Sequence, residues 1–79
     1  MGNARDRAEW YAANIAHLLW KKTGHWYRIK TDRNERSKWL DIYNNTTSTF
    51  VLTYHAKTWS GVCEKMTASY KTYLAIVNA

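Results

Sequence analysis

Apolar residues recur at three- and four-residue spacing near the start of the chain. They would form one stripe along a helix, made up of Ala8, Tyr11, Ile15, Leu18 and Leu19. Asn3 is suited to cap the N-terminus of this helix, and Gly24 is suited to end it. The pattern therefore predicts an amphipathic helix over residues 4–23.

From residue 25 the hydrophobic period changes to two, which is typical of strands. The alternation predicts strands over residues 25–31, 38–43 and 49–55, joined by a charged loop at 32–37 and a polar turn at 44–48. Short connections favour an antiparallel meander. One face of it would pack against helices and bury Tyr27, Ile29, Leu40, Ile42, Phe50, Leu52 and Tyr54.

Helical spacing returns over residues 58–77, through Val62, Met66, Tyr70, Tyr73 and Val77. Thr58 or Ser60 would cap this second helix. The sequence thus predicts a single α+β domain over residues 1–79, in the order α-β-β-β-α. Its three-stranded antiparallel meander would pack against two helices.

Composition adds a strong aromatic and basic character to this fold. The chain has 5 Trp and 6 Tyr but 1 Phe, and its 12 Lys and Arg against 6 acids give a net charge of +6. Trp and Tyr fill cores, and among cations they also serve as stacking platforms for bases. With a lone Cys63, a polar N-terminus and no membrane span, we expect a cytoplasmic binding module.

The sheet face turned away from the helices is the candidate binding surface. Alternation places there Trp26, Arg28, Lys30, Trp39, Asp41, Tyr43, Val51, Thr53 and His55. With nearby cations added, the candidate site comprises Trp26, Arg28, Lys30, Arg33, Arg36, Lys38, Trp39, Tyr43, His55 and Lys57. Cations neutralise phosphates and aromatic rings stack on unpaired bases, so we expect a non-catalytic module that binds DNA or RNA.

Two other interpretations of the same residues remain open. The aromatic side chains could be a hot spot for an acidic protein surface, as in the small inhibitors and adaptors that phages and mobile elements encode. They could also be cross-strand pairs that stiffen the sheet, or be covered in a homodimer. The tryptophans outside the helix stripes, Trp10, Trp20 and Trp59, are predicted to pack at helix edges.

The sequence contains few residues in the arrangements that are typical of catalytic or metal-binding sites. The soft metal ligands are His17, His25, His55 and Cys63, and their spacing fits no zinc motif. The chain also lacks the glycine-rich motifs that cradle nucleotides. We therefore predict neither metal nor cofactor. A small ribonuclease using His25 or His55 is the third alternative, although no acid–base pair accompanies either histidine.

The predicted element order resembles that of double-stranded RNA-binding domains and of HicA-type toxin ribonucleases. Residues Leu18-Leu19-Trp20-Lys21-Lys22-Thr23-Gly24 are similar to the helix end of those toxins. The strands lack a Gly-Ser-His segment that would match the toxin's catalytic histidine. Lys57-Thr58-Trp59-Ser60-Gly61 stands where the RNA-binding domains have a Lys-Lys-x-Ala-Lys phosphate contact. The resemblance therefore covers topology over residues 8–77 and transfers no site residue.

Overall fold

The predicted α-β-β-β-α order is confirmed. The structure, a computed structural model, describes the backbone of residues 3–77 and the side chains of residues 3–76. Its elements are α1 (Ala4–Thr23), β1 (Tyr27–Arg33), β2 (Lys38–Asn44), β3 (Thr49–Ala56) and α2 (Trp59–Val77). The predicted domain limits at residues 1 and 79, and the Val77 side chain, lie outside the described residues.

Both ends of α1 are set by local side-chain chemistry. The Asp6 amide donates to Asn3 Oδ1 at 3.0 Å, which satisfies one of the free amides in the first turn. At the other end Gly24 adopts the left-handed conformation, with φ 75°, and its amide donates to the Trp20 carbonyl at 2.8 Å. The predicted caps of α1 are therefore confirmed.

The cap of α2 is Thr58 rather than Ser60. The Thr58 hydroxyl accepts from the Gly61 amide at 3.1 Å, and the Thr58 carbonyl accepts from the Val62 amide. Arg5 then ties the start of α1 to its neighbours. Its guanidinium donates to Thr31 Oγ1 on β1 and lies 5.3 Å from the ring centroid of Trp59 on α2.

The strands form an antiparallel sheet in the order β1-β2-β3, with β1 and β3 at its edges. Both helices lie on one face of it, because the central inward positions of the strands are apolar, namely Ile29, Leu40, Ile42, Leu52 and Tyr54. The largest fully buried side chains of the core come from α1, β2 and α2, and they are Ile15, Leu40, Ile42, Val62 and Met66. None of the described helices is long and apolar enough to cross a membrane.

The prediction that Phe50 lies in the core is wrong. Ile42 pairs with Leu52, whereas Tyr43 pairs with Phe50, so Val51 is an extra residue in β3. This bulge reverses the alternation before it, because a shift of one residue moves a side chain to the other face. Phe50 is consequently 67% exposed and lies on the open side of the sheet.

Candidate nucleic-acid interface

The open face of the sheet consists of three cross-strand rows. Antiparallel register places outward side chains of the three strands opposite one another. The rows are Arg28–Tyr43–Phe50, Lys30–Asp41–Thr53 and Asp32–Trp39–His55. Neither helix covers this face. Five of the ten predicted site residues lie here, namely Arg28, Lys30, Trp39, Tyr43 and His55.

The first row is a contact chain of a cation and two rings. The Arg28 guanidinium carbon lies 4.6 Å from the ring centroid of Tyr43. Phe50 meets the same ring edge-on, with the centroids 5.2 Å apart. Both geometries are favourable, because the ring face is negative and the ring edge positive. The row therefore presents a positive group beside an exposed apolar ring.

Residues of all three rows line a shallow depression of about 410 Å³, namely Trp39, Asp41, Phe50, Thr53 and His55. The Trp39 and His55 rings are 6.3 Å apart and tilted by 33°. Trp39 is half-buried, and it lies opposite His55 of the neighbouring strand β3. The depression thus offers an aromatic wall beside one carboxylate.

The remaining predicted cations lie at the β1–β2 end of the sheet. Arg33 and Lys38 pair across the hairpin, and their alternation places them on the helix side rather than on the open face. Arg36 lies in the exposed turn, where its amide donates to Asn34 Oδ1 at 2.9 Å. Lys57 is exposed between β3 and α2. These four cations form a basic end next to the Trp39 row.

Trp26 does not lie on the open face, which corrects the prediction. β1 begins at Tyr27, two residues later than predicted, so Trp26 precedes the strand. Its ring packs 5.8 Å from the ring of Trp20 on α1. Together these rings line a second concavity, the aromatic groove, of about 440 Å³. Its lining residues are Ala13, Ala16, His17, Trp20, Trp26, Tyr27 and Ile29.

The sequence did contain a signal for this groove. Ala13, Ala16, His17 and Trp20 follow helical spacing on a second face of α1, next to the buried stripe. The small side chains of Ala13 and Ala16 leave space beside α1, and the rings of His17 and Trp20 border that space. Trp20 was predicted to pack at a helix edge, and the structure shows it 39% exposed within the groove.

Backbone contacts hold Trp26 in place. Its amide donates to Thr46 Oγ1 at 2.9 Å, and its carbonyl accepts from the Asn45 amide at 2.7 Å. The left-handed turn at Gly24 directs the chain back along α1, so that Trp26 returns beside Trp20. The exposed ring therefore lies on a backbone that is anchored at both polar groups.

Within residues 3–76, no three His, Cys, Asp or Glu side chains are close enough to hold a metal ion. Asp41 is the only acid lining the open-face depression. Comparison with known proteins adds no relative, since no protein-family model, curated protein or solved structure matches the chain.

Proposed function

We propose that the protein is a small non-catalytic module that binds single-stranded nucleic acid on the open face of its sheet. The observation that carries this proposal is the Arg28–Tyr43–Phe50 row, which places a guanidinium and two rings side by side on a face that neither helix covers. Bases stack on such rings, and cations such as Arg28 and Lys30 neutralise the phosphates between them.

The distribution of charge supports a polyanion as partner. The open face and the basic end together carry Arg28, Lys30, Arg33, Arg36, Lys38 and Lys57, against Asp32, Glu35 and Asp41. A nucleic-acid strand that crosses the open face from the Phe50 row toward Trp39 would bring its phosphate backbone close to the basic end. Unpaired bases suit this face better than a duplex does, because stacking needs a free base face.

The test is a tryptophan-fluorescence titration with single- and double-stranded DNA and RNA at two salt concentrations, on protein freed of nucleic acid. We expect quenching that weakens steeply with salt. Arg28→Ala and Lys30→Ala should each weaken binding and lower the slope of log K against log salt by about 1, which is the loss of one phosphate contact.

Lys71→Ala is the matched control, because Lys71 is an exposed lysine on α2, away from the open face. It removes the same charge and should leave the affinity within about twofold, since its long-range effect is screened. An equal loss of affinity in all three variants would show that binding depends on net charge and not on the open face. Unchanged binding in both open-face variants would exclude this surface.

One observation favours a protein partner as the second candidate. Phe50 is 67% exposed beside Tyr43, and such an apolar ring is typical of an interface hot spot. In that case Phe50→Ala should abolish a stoichiometric complex whose affinity changes little with salt. The salt series above separates the two functions, because only the nucleic-acid complex releases counterions.

A further inference from the structure

The aromatic groove is separate from the open face, since it shares no lining residue with the depression there. Its volume of about 440 Å³ falls in the range of small-molecule sites, and its lining is largely apolar. It lies between α1 and the start of β1, on the helix side of the sheet. The Trp20 and Trp26 rings that line it are exposed and do not belong to the core.

Three rings in the groove form a ladder. The His17 and Trp20 rings are 5.6 Å apart with planes 29° apart, and the Trp20 and Trp26 rings are 5.8 Å apart with planes 33° apart. The rings are too close to admit another ring between them, so a flat ligand would stack on an outer face. Trp26 offers the largest one, because it is 67% exposed.

The charged side chains near the groove favour a negatively charged ligand. His17 and Lys21 are separated by four residues of α1, so the exposed Lys21 lies one turn beyond His17 on the same face. In the other direction that row reaches Glu9, whose carboxylate is already bound to the Arg5 guanidinium at 3.1 Å. An anionic group is therefore favoured at the Lys21 end, and a cationic ligand is disfavoured.

Backbone polar groups of β1 lie close enough to the groove to form hydrogen bonds with the edge of a flat ligand ring. β1 is an edge strand, so part of its backbone amides and carbonyls have no strand partner. Its first residues, Tyr27 and Ile29, line the groove. A heteroaromatic ring that stacks on Trp26 could form hydrogen bonds with this edge, which a plain hydrocarbon ring could not.

From this geometry we propose that the aromatic groove binds one unpaired base of a nucleotide, with the phosphate of that nucleotide toward Lys21. The inference extends the proposed function, because the groove would hold a base of the same single strand that crosses the open face. Trp26 directly precedes β1 and Arg28 is the second residue of β1, so a nucleic-acid strand could pass around this edge of the sheet.

The probe is adenosine 5′-monophosphate, which is too short to span the open face. Proton–nitrogen correlation spectra can report on the indole N–H groups of the five tryptophans separately. We expect the Trp20 and Trp26 signals to shift on titration while those of Trp39 and Trp59 stay in place. Ribose 5-phosphate, which lacks the base, should bind at least tenfold more weakly.

Trp26→Ala should weaken binding of the mononucleotide about tenfold, within the range found when an aromatic stacking partner is removed. Trp10→Ala is the matched control, since Trp10 is an exposed tryptophan on the same helix but does not line the groove. Ala13→Met tests the site without removing a ring, because the larger side chain should fill the groove and block binding.

The outcomes separate the groove from the open face. Shifts of Trp20 and Trp26 without any binding of longer strands would support the groove and refute the sheet function. Binding of longer strands with no response of these two indoles to the mononucleotide would overturn the groove proposal alone. A dimer by light scattering that Trp26→Ala converts to monomer would also overturn it, because the groove would then be a self-interface.

Discussion

Asn44 shows how one buried amide can organise a site that it does not line. Its Oδ1 accepts from the Thr46 and Thr47 amides at 2.9 and 3.0 Å, and its Nδ2 lies 3.0 Å from His25 Nδ1. The same turn anchors the backbone of Trp26 through Thr46. A side chain that is 7% exposed therefore fixes both the β2–β3 turn and the approach to β1.

Asn44→Ala should lower the free energy of unfolding by about 1–3 kcal/mol, because it leaves turn amides without their acceptor in a partly buried site. Urea denaturation followed by circular dichroism measures this. Asn45→Ala is the control, since Asn45 is exposed and contributes its backbone amide, which alanine keeps. We expect the control to stay within about 0.5 kcal/mol of the parent, and equal losses would contradict this role of Asn44.

At the scale of elements, the contact between α2 and β3 depends on a missing side chain. Alanine favours helices over glycine by about 1 kcal/mol, which alone would make Gly61→Ala stabilising. A Cβ at residue 61 would, however, lie 2.8 Å from Ala56 Cβ at the end of β3. Neither group can rotate away, so α2 would have to shift from the sheet.

We therefore expect Gly61→Ala to lower the midpoint of thermal unfolding and Ala56→Gly/Gly61→Ala to recover most of the loss. The double variant moves the methyl group from the strand to the helix and removes the overlap. The comparison with Ala56→Gly alone gives the coupling between the two positions. A stabilised Gly61→Ala single variant would show that this contact does not limit the packing of α2.

The elements differ in how far the sequence predicts them. Helix ends depend on adjacent residues, so Asn3 and Gly24 were sufficient to place both ends of α1. Strand faces depend on a register that includes the partner strand, and alternation alone cannot show the extra residue at Val51. Phe50 was therefore assigned to the wrong face. Trp26 was misplaced for a related reason, because strand alternation was extended to a residue before β1.

At the scale of the whole molecule, one buried phenol and one half-buried phenol make stability depend on alkaline pH. Burial raises the pKa of Tyr54 and also that of Tyr73. An acid with a raised pKa binds more protons in the folded state than in the unfolded chain. Its contribution is complete below the usual tyrosine pKa near 10 and is lost as pH rises beyond it.

We expect the free energy of unfolding to fall above about pH 10, the usual pKa of tyrosine, and Tyr54→Phe to make that fall shallower. The Tyr54 hydroxyl is buried with no hydrogen-bond partner among the described residues, so its removal should not destabilise the protein at neutral pH. Urea denaturation at a series of pH values measures both effects. A Tyr54→Phe variant with an unchanged alkaline slope would assign the effect to other groups.

The bulge in β3 makes the open face sensitive to chain length. Deleting Val51 would keep the Ile42–Leu52 and Tyr43–Phe50 pairs and restore regular alternation, so we expect the shortened chain to fold with Phe50 still outside. Deleting Thr53 would instead turn Leu52 outward and bring Val51 inward opposite Ile42, which should lower the free energy of unfolding, as urea denaturation would show. Insertions and deletions, more readily than substitutions, could thus exchange the inner and outer side chains of this sheet during divergence.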